Sequence, residues 1–226
     1  MCSAKSNVDL ISNLRASKLI SSDAVVAAMK KVDRANYVRI KSAAYEDSPQ
    51  SIGYSATISA PHMHAHATEN LLDYLKPGSK VLDVGSGSGY SCAVFHHLVG
   101  PTGKVVGVDH IDKLVELSEY NLKNDGLGDM LDSGAIKMVT GDGRQGYADS
   151  GPYDAIHVGA AAPSMPTALV QQLAQPGRMF VPVEKKSGNG QSIWQVDKDD
   201  NGALHYEELI SVMYVPLTDR KQQIDF

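Results

Sequence analysis

Asp83, Gly85, Gly87 and Gly89 stand at every second position of one run, Val81-Leu82-Asp83-Val84-Gly85-Ser86-Gly87-Ser88-Gly89. An apolar strand feeding glycines at that spacing lets the backbone turn tightly and lets a ligand lie against its amides. An ordinary strand-to-helix turn rarely needs three glycines. A dinucleotide fingerprint would put its third glycine at position 90, where this chain has Tyr90. Asp83, at the carboxyl end of the strand, repels a pyrophosphate and attracts an ammonium. No G-K-[ST] closes the loop as a phosphate-binding P-loop requires, and the centre of a nucleophile elbow would fall on Gly87 instead of a serine. S-adenosylmethionine meets these constraints, with no phosphate, an ammonium on its amino-acid tail and a cationic sulfonium.

Two further acids extend the pattern. Asp109 ends the apolar run 103–108, twenty residues after Gly89, and an acid at about that distance accepts hydrogen bonds from ribose hydroxyls. Alone it serves equally well as a cap for the next helix; beside the glycine loop the ribose reading is favoured. Asp142, in Gly141-Asp142-Gly143, is a third candidate, with a plain turn pair as its alternative. Thr57, Ile58 and Ser59 precede Pro61, a residue suited to the first helical position, so they fall at a helix N-terminus where free amides could meet an anion. From position alone, Ser59 reads first as a simple cap.

Two patterns imitate metal sites. His62, His64 and His66 would share one face of a strand, but in a helix they diverge, and no H-E-x-x-H accompanies them, so no metal is expected. Asp197-Lys198-Asp199-Asp200-Asn201-Gly202 with Glu208 matches a calcium loop in full. That loop needs a helix on each side, whereas both flanks favour strand and Asn201-Gly202 signals a hairpin. The hairpin is the expectation.

Composition bounds the rest. With 226 residues, 42% apolar and 21% charged, the chain has enough apolar sequence for one globular unit. A net charge of −5 gives no reason to expect nucleic acid or an anionic membrane as partner. Cys2 and Cys92, without a C-x-x-C, argue against a disulfide or zinc framework. The polar N-terminus and the lack of an apolar run of spanning length make the cytosol the expected address, and no coiled-coil stretch is found, so a monomer is expected.

The elements that must position these residues alternate from about residue 79. Strands are predicted at 79–84, 103–108, 135–140, 153–158 and 178–183, and helices at 89–99, 111–124 and 165–174. Such alternation implies an α/β fold with a doubly wound, mainly parallel sheet. Runs 192–196 and 204–215 read as an antiparallel C-terminal hairpin, and His157 as a packed strand residue. The N-terminal segment reads as helical at 11–16 and at 22–32, the latter capped by Ser22. A turn-rich stretch, 47–60, follows, and a further helix begins at Pro61.

Taken together, Asp47-Ser48-Pro49-Gln50-Ser51-Ile52-Gly53-Tyr54, Ala56-Thr57-Ile58-Ser59-Ala60-Pro61-His62-Met63-His64-Ala65, the glycine loop, Gly141-Asp142-Gly143-Arg144, the run 153–163 and Val215-Pro216-Leu217-Thr218-Asp219 resemble the protein-L-isoaspartate (D-aspartate) O-methyltransferases. The match runs over nearly the whole chain, and its Ala-Thr-Ile-Ser-Ala-Pro-His segment is more specific than the glycine loop. The resemblance implies a class I S-adenosylmethionine-dependent fold over a single domain, 1–226, with a helical extension (1–77), a cofactor-binding sheet (78–215) and a tail (216–226). It implies methyl transfer from S-adenosylmethionine, leaving S-adenosylhomocysteine, to the free α-carboxylate of isoaspartyl residues in damaged proteins, with D-aspartyl acceptance left open. The ester then closes to a succinimide that reopens in part to normal aspartate. By matching position, Ser59 is the catalytic-site serine, and Ala56, Thr57, Ile58, Ser59 and His64 line the substrate and cofactor site. Asp83, Gly85, Ser88, Asp109, His110, Asp142 and Gly143 correspond to cofactor contacts, and Thr218 and Gln223 to C-terminal residues that close over the cofactor. The family's Lys-Pro-Gly-Gly-Arg is here Gln175-Pro176-Gly177-Arg178.

Overall fold

A computed structural model describes residues 2–185, 188, 190–220 and 223. The Ser6 hydroxyl accepts the Asp9 amide at 3.2 Å and starts α1 (Asn7–Ala16), so the helix begins ahead of the expected residue 11. Ser22 does precede α2 (Asp23–Lys31), but it is not the capping acceptor. Both carboxylate oxygens of Glu69, from α3 (Pro61–Leu71), take the amides and hydroxyls of Ser21 and Ser22 at 2.6–3.1 Å. A carboxylate from a neighbouring helix thus fixes the two residues that lead into α2, whose first-turn amides Ser22 leaves uncapped.

The stretch 47–60 is not turn alone. It holds an antiparallel hairpin of β1 (Gln50–Gly53) and β2 (Ala56–Ile58), closed by Tyr54 and Ser55, both at φ 52. Two left-handed residues give the turn whose twist matches its strands, at some backbone cost for residues other than glycine. Thr57 and Ile58 are therefore strand residues. Ser59 and the N-cap Ala60 join β2 to α3, which begins at Pro61 as predicted.

Beyond residue 79 the elements are β3 (Lys80–Val84), α4 (Tyr90–Val99), β4 (Lys104–Asp109), α5 (Asp112–Asn124), α6 (Gly128–Asp132), β5 (Ile136–Thr140), β6 (Tyr153–Val158), α7 (Thr167–Gln171), β7 (Leu173–Glu184), β8 (Gln191–Lys198) and β9 (Leu204–Val212). Their sheet runs β5-β4-β3-β6-β7-β8-β9. Pairing is parallel from β5 to β7 and antiparallel for the last two pairs. α7 is shorter than expected because Leu173 is drawn into β7 opposite Tyr153. β9 stops at Val212, and the chain then turns back over the sheet, where Val215 and Leu217 hydrogen-bond to the backbone of Ala161 at 2.8 and 2.7 Å.

Strand alternation divides two cores. Val81, Val105, Ala155 and Phe180 face one side, against α1 to α5. Leu82, Val106, Ile156 and Met179 face the other, against α7. The order reverses between β3 and β6, so their carboxyl ends open a crevice where such sheets bind ligands.

Candidate active site

That crevice holds a cavity of ≈ 500 Å³. Val84 hands over to the glycine loop, and the Gly85 and Ser86 amides are tied to the Val108 carbonyl at 2.8 and 3.1 Å. Gly87 donates its amide to Asp109 at 3.0 Å, and the other Asp109 oxygen accepts the Ile111 amide at 3.0 Å. Asp109 thus steadies the start of α5, one of the two roles anticipated for it, and it also lines the cavity. Burial raises its carboxyl above the usual range, opposed by those two amides.

The remaining walls come from distant segments. Ser55, Ala56 and Thr57 approach from the β1–β2 hairpin, and Val215 to Thr218 form a strap along the wall. Asp142 and Gly143 follow β5; a Cβ at Gly143 would come within 2.5 Å of Val84, so no larger residue fits there without displacing β3. The Asp142 carboxyl is held below its ordinary range, chiefly by the Arg144 guanidinium, which it binds at 2.8 Å. Arg144 also binds Asp219 at 2.8 Å. The Gln223 amide oxygen accepts from His110 Nε2 at 2.5 Å, and its amide nitrogen donates to the Tyr54 carbonyl at 2.9 Å. Of the expected tail, 216–220 and 223 are described; 221, 222 and 224–226 lie outside the described residues.

A small polar pocket of ≈ 20 Å³ opens beside the cavity, and the two share Thr57, Gly85, Gly87 and Gly159. Ile58, Ser59, His64, Ser86, Ser88 and Ser91 complete it, with Tyr90 and His157. Burial, and secondarily the nearby Arg34 charge, push His64 well below the usual imidazole range, so the ring is neutral at physiological pH. Its Nδ1 lies 3.2 Å from the Ser91 hydroxyl. The buried Nε2 of His64 and the buried Ser86 hydroxyl have no hydrogen-bond partner among the described residues. Two such polar atoms facing one small space fit a polar ligand group.

The expected contact between Asp83 and a ligand ammonium requires correction. Asp83 is 1% exposed and lines neither space. One carboxylate oxygen lies 2.7 Å from His157 Nδ1, and the other accepts the Cys92 thiol at 3.2 Å. His157 is buried as predicted, stacked on Phe180 with ring centroids 6.1 Å apart. The pair underlies the glycine loop, and of the two only His157 reaches the small pocket. The other thirteen predicted residues line one space or the other. Sequence reasoning missed His157 as the partner of Asp83, and it missed Ser86 and Arg34. The Arg34 side chain is fully buried, and its Nη2 donates to the Ser59 carbonyl at 2.8 Å.

Neither imitation metal site has the geometry its sequence suggested. His62 binds Asp47 at 2.8 Å, His64 faces the small pocket and His66 packs edge-on against Phe180. The Asp197–Gly202 run caps the β8–β9 hairpin. Asp199 accepts the Asn201 and Ala203 amides, Asp197 is bound to Arg178, and Glu208 accepts the Ser192 hydroxyl. Among the described residues no three His, Cys, Asp or Glu side chains are grouped to hold a metal ion.

The larger cavity suits a nucleoside bearing a sulfonium. Its wall has Asp109 and Asp142 but, among the described residues, no Lys or Arg to hold phosphates, and Val108, Pro216 and Leu217 offer apolar surface to a base. Comparison with known proteins agrees. The family model for protein-L-isoaspartate (D-aspartate) O-methyltransferase matches residues 5–222. A Caenorhabditis elegans protein-L-isoaspartate O-methyltransferase is 48% identical over 98% of this chain and 96% of its own length. Protein-L-isoaspartate O-methyltransferase 1 of Arabidopsis thaliana is 47% identical over 98% and 95%. A Plasmodium falciparum crystal structure described under the same family name, in complex with S-adenosyl-L-homocysteine, superposes with a TM-score of 0.87 at 34% identity, over 95% of this chain and 99% of that one.

Proposed function

The chain belongs to the protein-L-isoaspartate (D-aspartate) O-methyltransferase family, and we propose that it transfers a methyl group from S-adenosylmethionine to the free α-carboxylate of isoaspartyl residues in damaged proteins. The observation that carries this reading is the junction of the two spaces. A nucleoside-sized cavity with two carboxylates meets a small polar pocket bounded by Ser59, His64 and Ser86 across the shared Thr57, Gly85, Gly87 and Gly159. Donor and acceptor can meet there.

S-adenosylmethionine, when bound, supplies an electrophilic methyl on a sulfonium. The chain has correspondingly little proton transfer to do. A carboxylic acid with a pKa near ~4 is ionised at neutral pH, so the acceptor arrives as a competent nucleophile without a base. What remains is alignment and exclusion of water. Asp109 would hold the ribose hydroxyls, while Asp142 and the strap would flank the base. Ser59 donates a hydrogen bond that orients the acceptor carboxylate. Neutral His64 offers Nε2 to the same polar space without adding a charge that would trap the acceptor. The methyl ester then leaves to cyclise away from the protein.

The reading extends to a monomeric enzyme of the cytosol acting on polypeptides, with neither nucleic acid nor membrane as partner. The net charge of −5 and two free, buried cysteines support it. The decisive assay supplies radiolabelled S-adenosylmethionine with an isoaspartyl peptide or its normal aspartyl twin. Base-labile counts on the isoaspartyl peptide alone are expected; equal labelling of both, or label that resists mild alkali, overturns the function.

A further inference from the structure

Arg34 is a buried cation outside the chemistry described above. It sits in a short 3-10 turn, Arg34–Asn36, with 0% of its surface exposed. Buried guanidinium groups are normally matched by a carboxylate with which they share hydrogen bonds. Among the described residues no carboxylate forms an ion pair with Arg34, and its Nε and Nη1 have no hydrogen-bond partner. Asp47 acts on it only from a distance and is itself bound by the His62 amide and ring at 3.0 and 2.8 Å. The contacts it does make are to neutral groups: the Ser59 carbonyl at 2.8 Å, the Ser48 carbonyl at 3.4 Å and the face of Tyr90, 5.8 Å from the ring centroid.

Those contacts have a common geometry. Ser48 precedes β1 and Ser59 follows β2, so one guanidinium group fastens both ends of the hairpin at its base. That hairpin carries Thr57 into both spaces and ends at the serine beside the acceptor pocket. Tyr90, under the guanidinium, lines the same pocket. Burial brings the Arg34 pKa down to about 10, which leaves the group charged at neutral pH. A fixed positive charge with no ion-paired carboxylate among the described residues thus lies behind the pocket in which a negative acceptor must be held.

We propose that Arg34 is a positioning residue for the transfer: its guanidinium fixes Ser59 through the Ser48 and Ser59 carbonyls, and its charge, not spent in a direct ion pair with any described residue, favours the acceptor carboxylate. The inference rests on the isoaspartyl reading and adds the origin of its preference for an anion. In a dry site such a charge acts over a short distance with little screening, which makes it a source of selectivity between a carboxylate and its neutral isostere.

The test compares wild type, Arg34→Gln and Arg34→Lys for binding of an isoaspartyl peptide and its twin bearing an α-carboxamide, each in the presence of S-adenosyl-L-homocysteine. Calorimetry gives the carboxylate-to-carboxamide affinity ratio, and a second titration gives the affinity for S-adenosyl-L-homocysteine itself. Loss of the charge in Arg34→Gln is expected to lower that ratio by roughly 10-fold or more, while affinity for S-adenosyl-L-homocysteine stays within about threefold. Arg34→Lys should recover most of the ratio but little of the kcat, because a lysine keeps the charge and loses the fork. An unchanged ratio in Arg34→Gln overturns the proposal, as does loss of both affinities together. Should Arg34→Gln not fold, Arg34→Lys decides: a kcat within about twofold of wild type overturns the positioning role. Failure of the wild type to methylate the isoaspartyl peptide would instead remove the functional reading, and with it this inference.

Discussion

His157 Nδ1 lies 2.7 Å from Asp83, and the two residues are register partners on β3 and β6, enclosed beneath the glycine loop. The pair carries that loop from below. Asp83→Ala would leave the His157 ring and the Cys92 thiol without their acceptor, both in a site too dry for solvent to replace it. Stability should fall by about 2 kcal/mol, from the loss of charge-assisted hydrogen bonds. Urea denaturation measures this directly. A midpoint equal to that of wild type would mean that the pair contributes nothing to the fold.

Ser59 is predicted to act on turnover and not on donor binding. Ser59 lines the small pocket, whereas the larger cavity is built without it. Ser59→Ala should lower kcat by roughly 10- to 100-fold, the range for removing one positioned donor. The dissociation constant for S-adenosyl-L-homocysteine should stay within about twofold. Parallel loss in the two assays would assign the serine to the shape of the cavity instead.

How much of this was legible in the chain depends on the range of each interaction. The glycine loop, Asp109 and Asp142 follow strands whose apolar runs announce them, and loop chemistry is local. The Gly-Asp-Gly run even contains its own explanation, since Gly143 must be small against Val84. Arg34 was not legible, because its partners are carbonyls at 48 and 59 and a carbonyl carries no side-chain signature. The Asp83–His157 pair lay between these cases. Each residue stands two places after a residue of the same core, Val81 on β3 and Ala155 on β6, so the order β3-β6 was enough to pair them. Treating Asp83 as a surface for ligand ignored that both faces of a central parallel strand are covered. The β1–β2 hairpin was missed for a similar reason, since its turn uses Tyr54 and Ser55 where Asn-Gly would have marked it.

Glu69 gives the acid side of stability a specific origin. Burial pushes its carboxyl upward, but the hydroxyls and amides of Ser21 and Ser22 outweigh burial and hold it below the ordinary value. A carboxyl whose folded pKa is depressed adds stability that is fully present above its unfolded pKa, near ~4.3, and is lost as pH falls through the folded value. Glu69→Gln should therefore cost more at pH ~7 than at pH ~3, by less than about 1 kcal/mol because the group is largely solvent-screened. Urea titrations of both proteins at the two pH values measure the difference. An identical penalty at both would show that charge plays no part in fixing the lead into α2.

Arg144 joins two segments of the donor cavity's wall. Its Nη2 binds Asp142, on the cavity wall, and Asp219, directly after Thr218 in the strap, each at 2.8 Å. The Arg144 side chain is 41% exposed, so the clasp should be worth less than about 1 kcal/mol and be weakened by salt. Arg144→Ala is accordingly expected to raise the dissociation constant for S-adenosyl-L-homocysteine by roughly three- to fivefold. Most of that change should appear in the off-rate, as is usual among variants of one binding site. Wild-type affinity should decline between ~0.05 and ~0.5 M salt, and the variant should respond less. Equal salt slopes for the two proteins would show that the strap is held by its backbone bonds to Ala161 and not by charge.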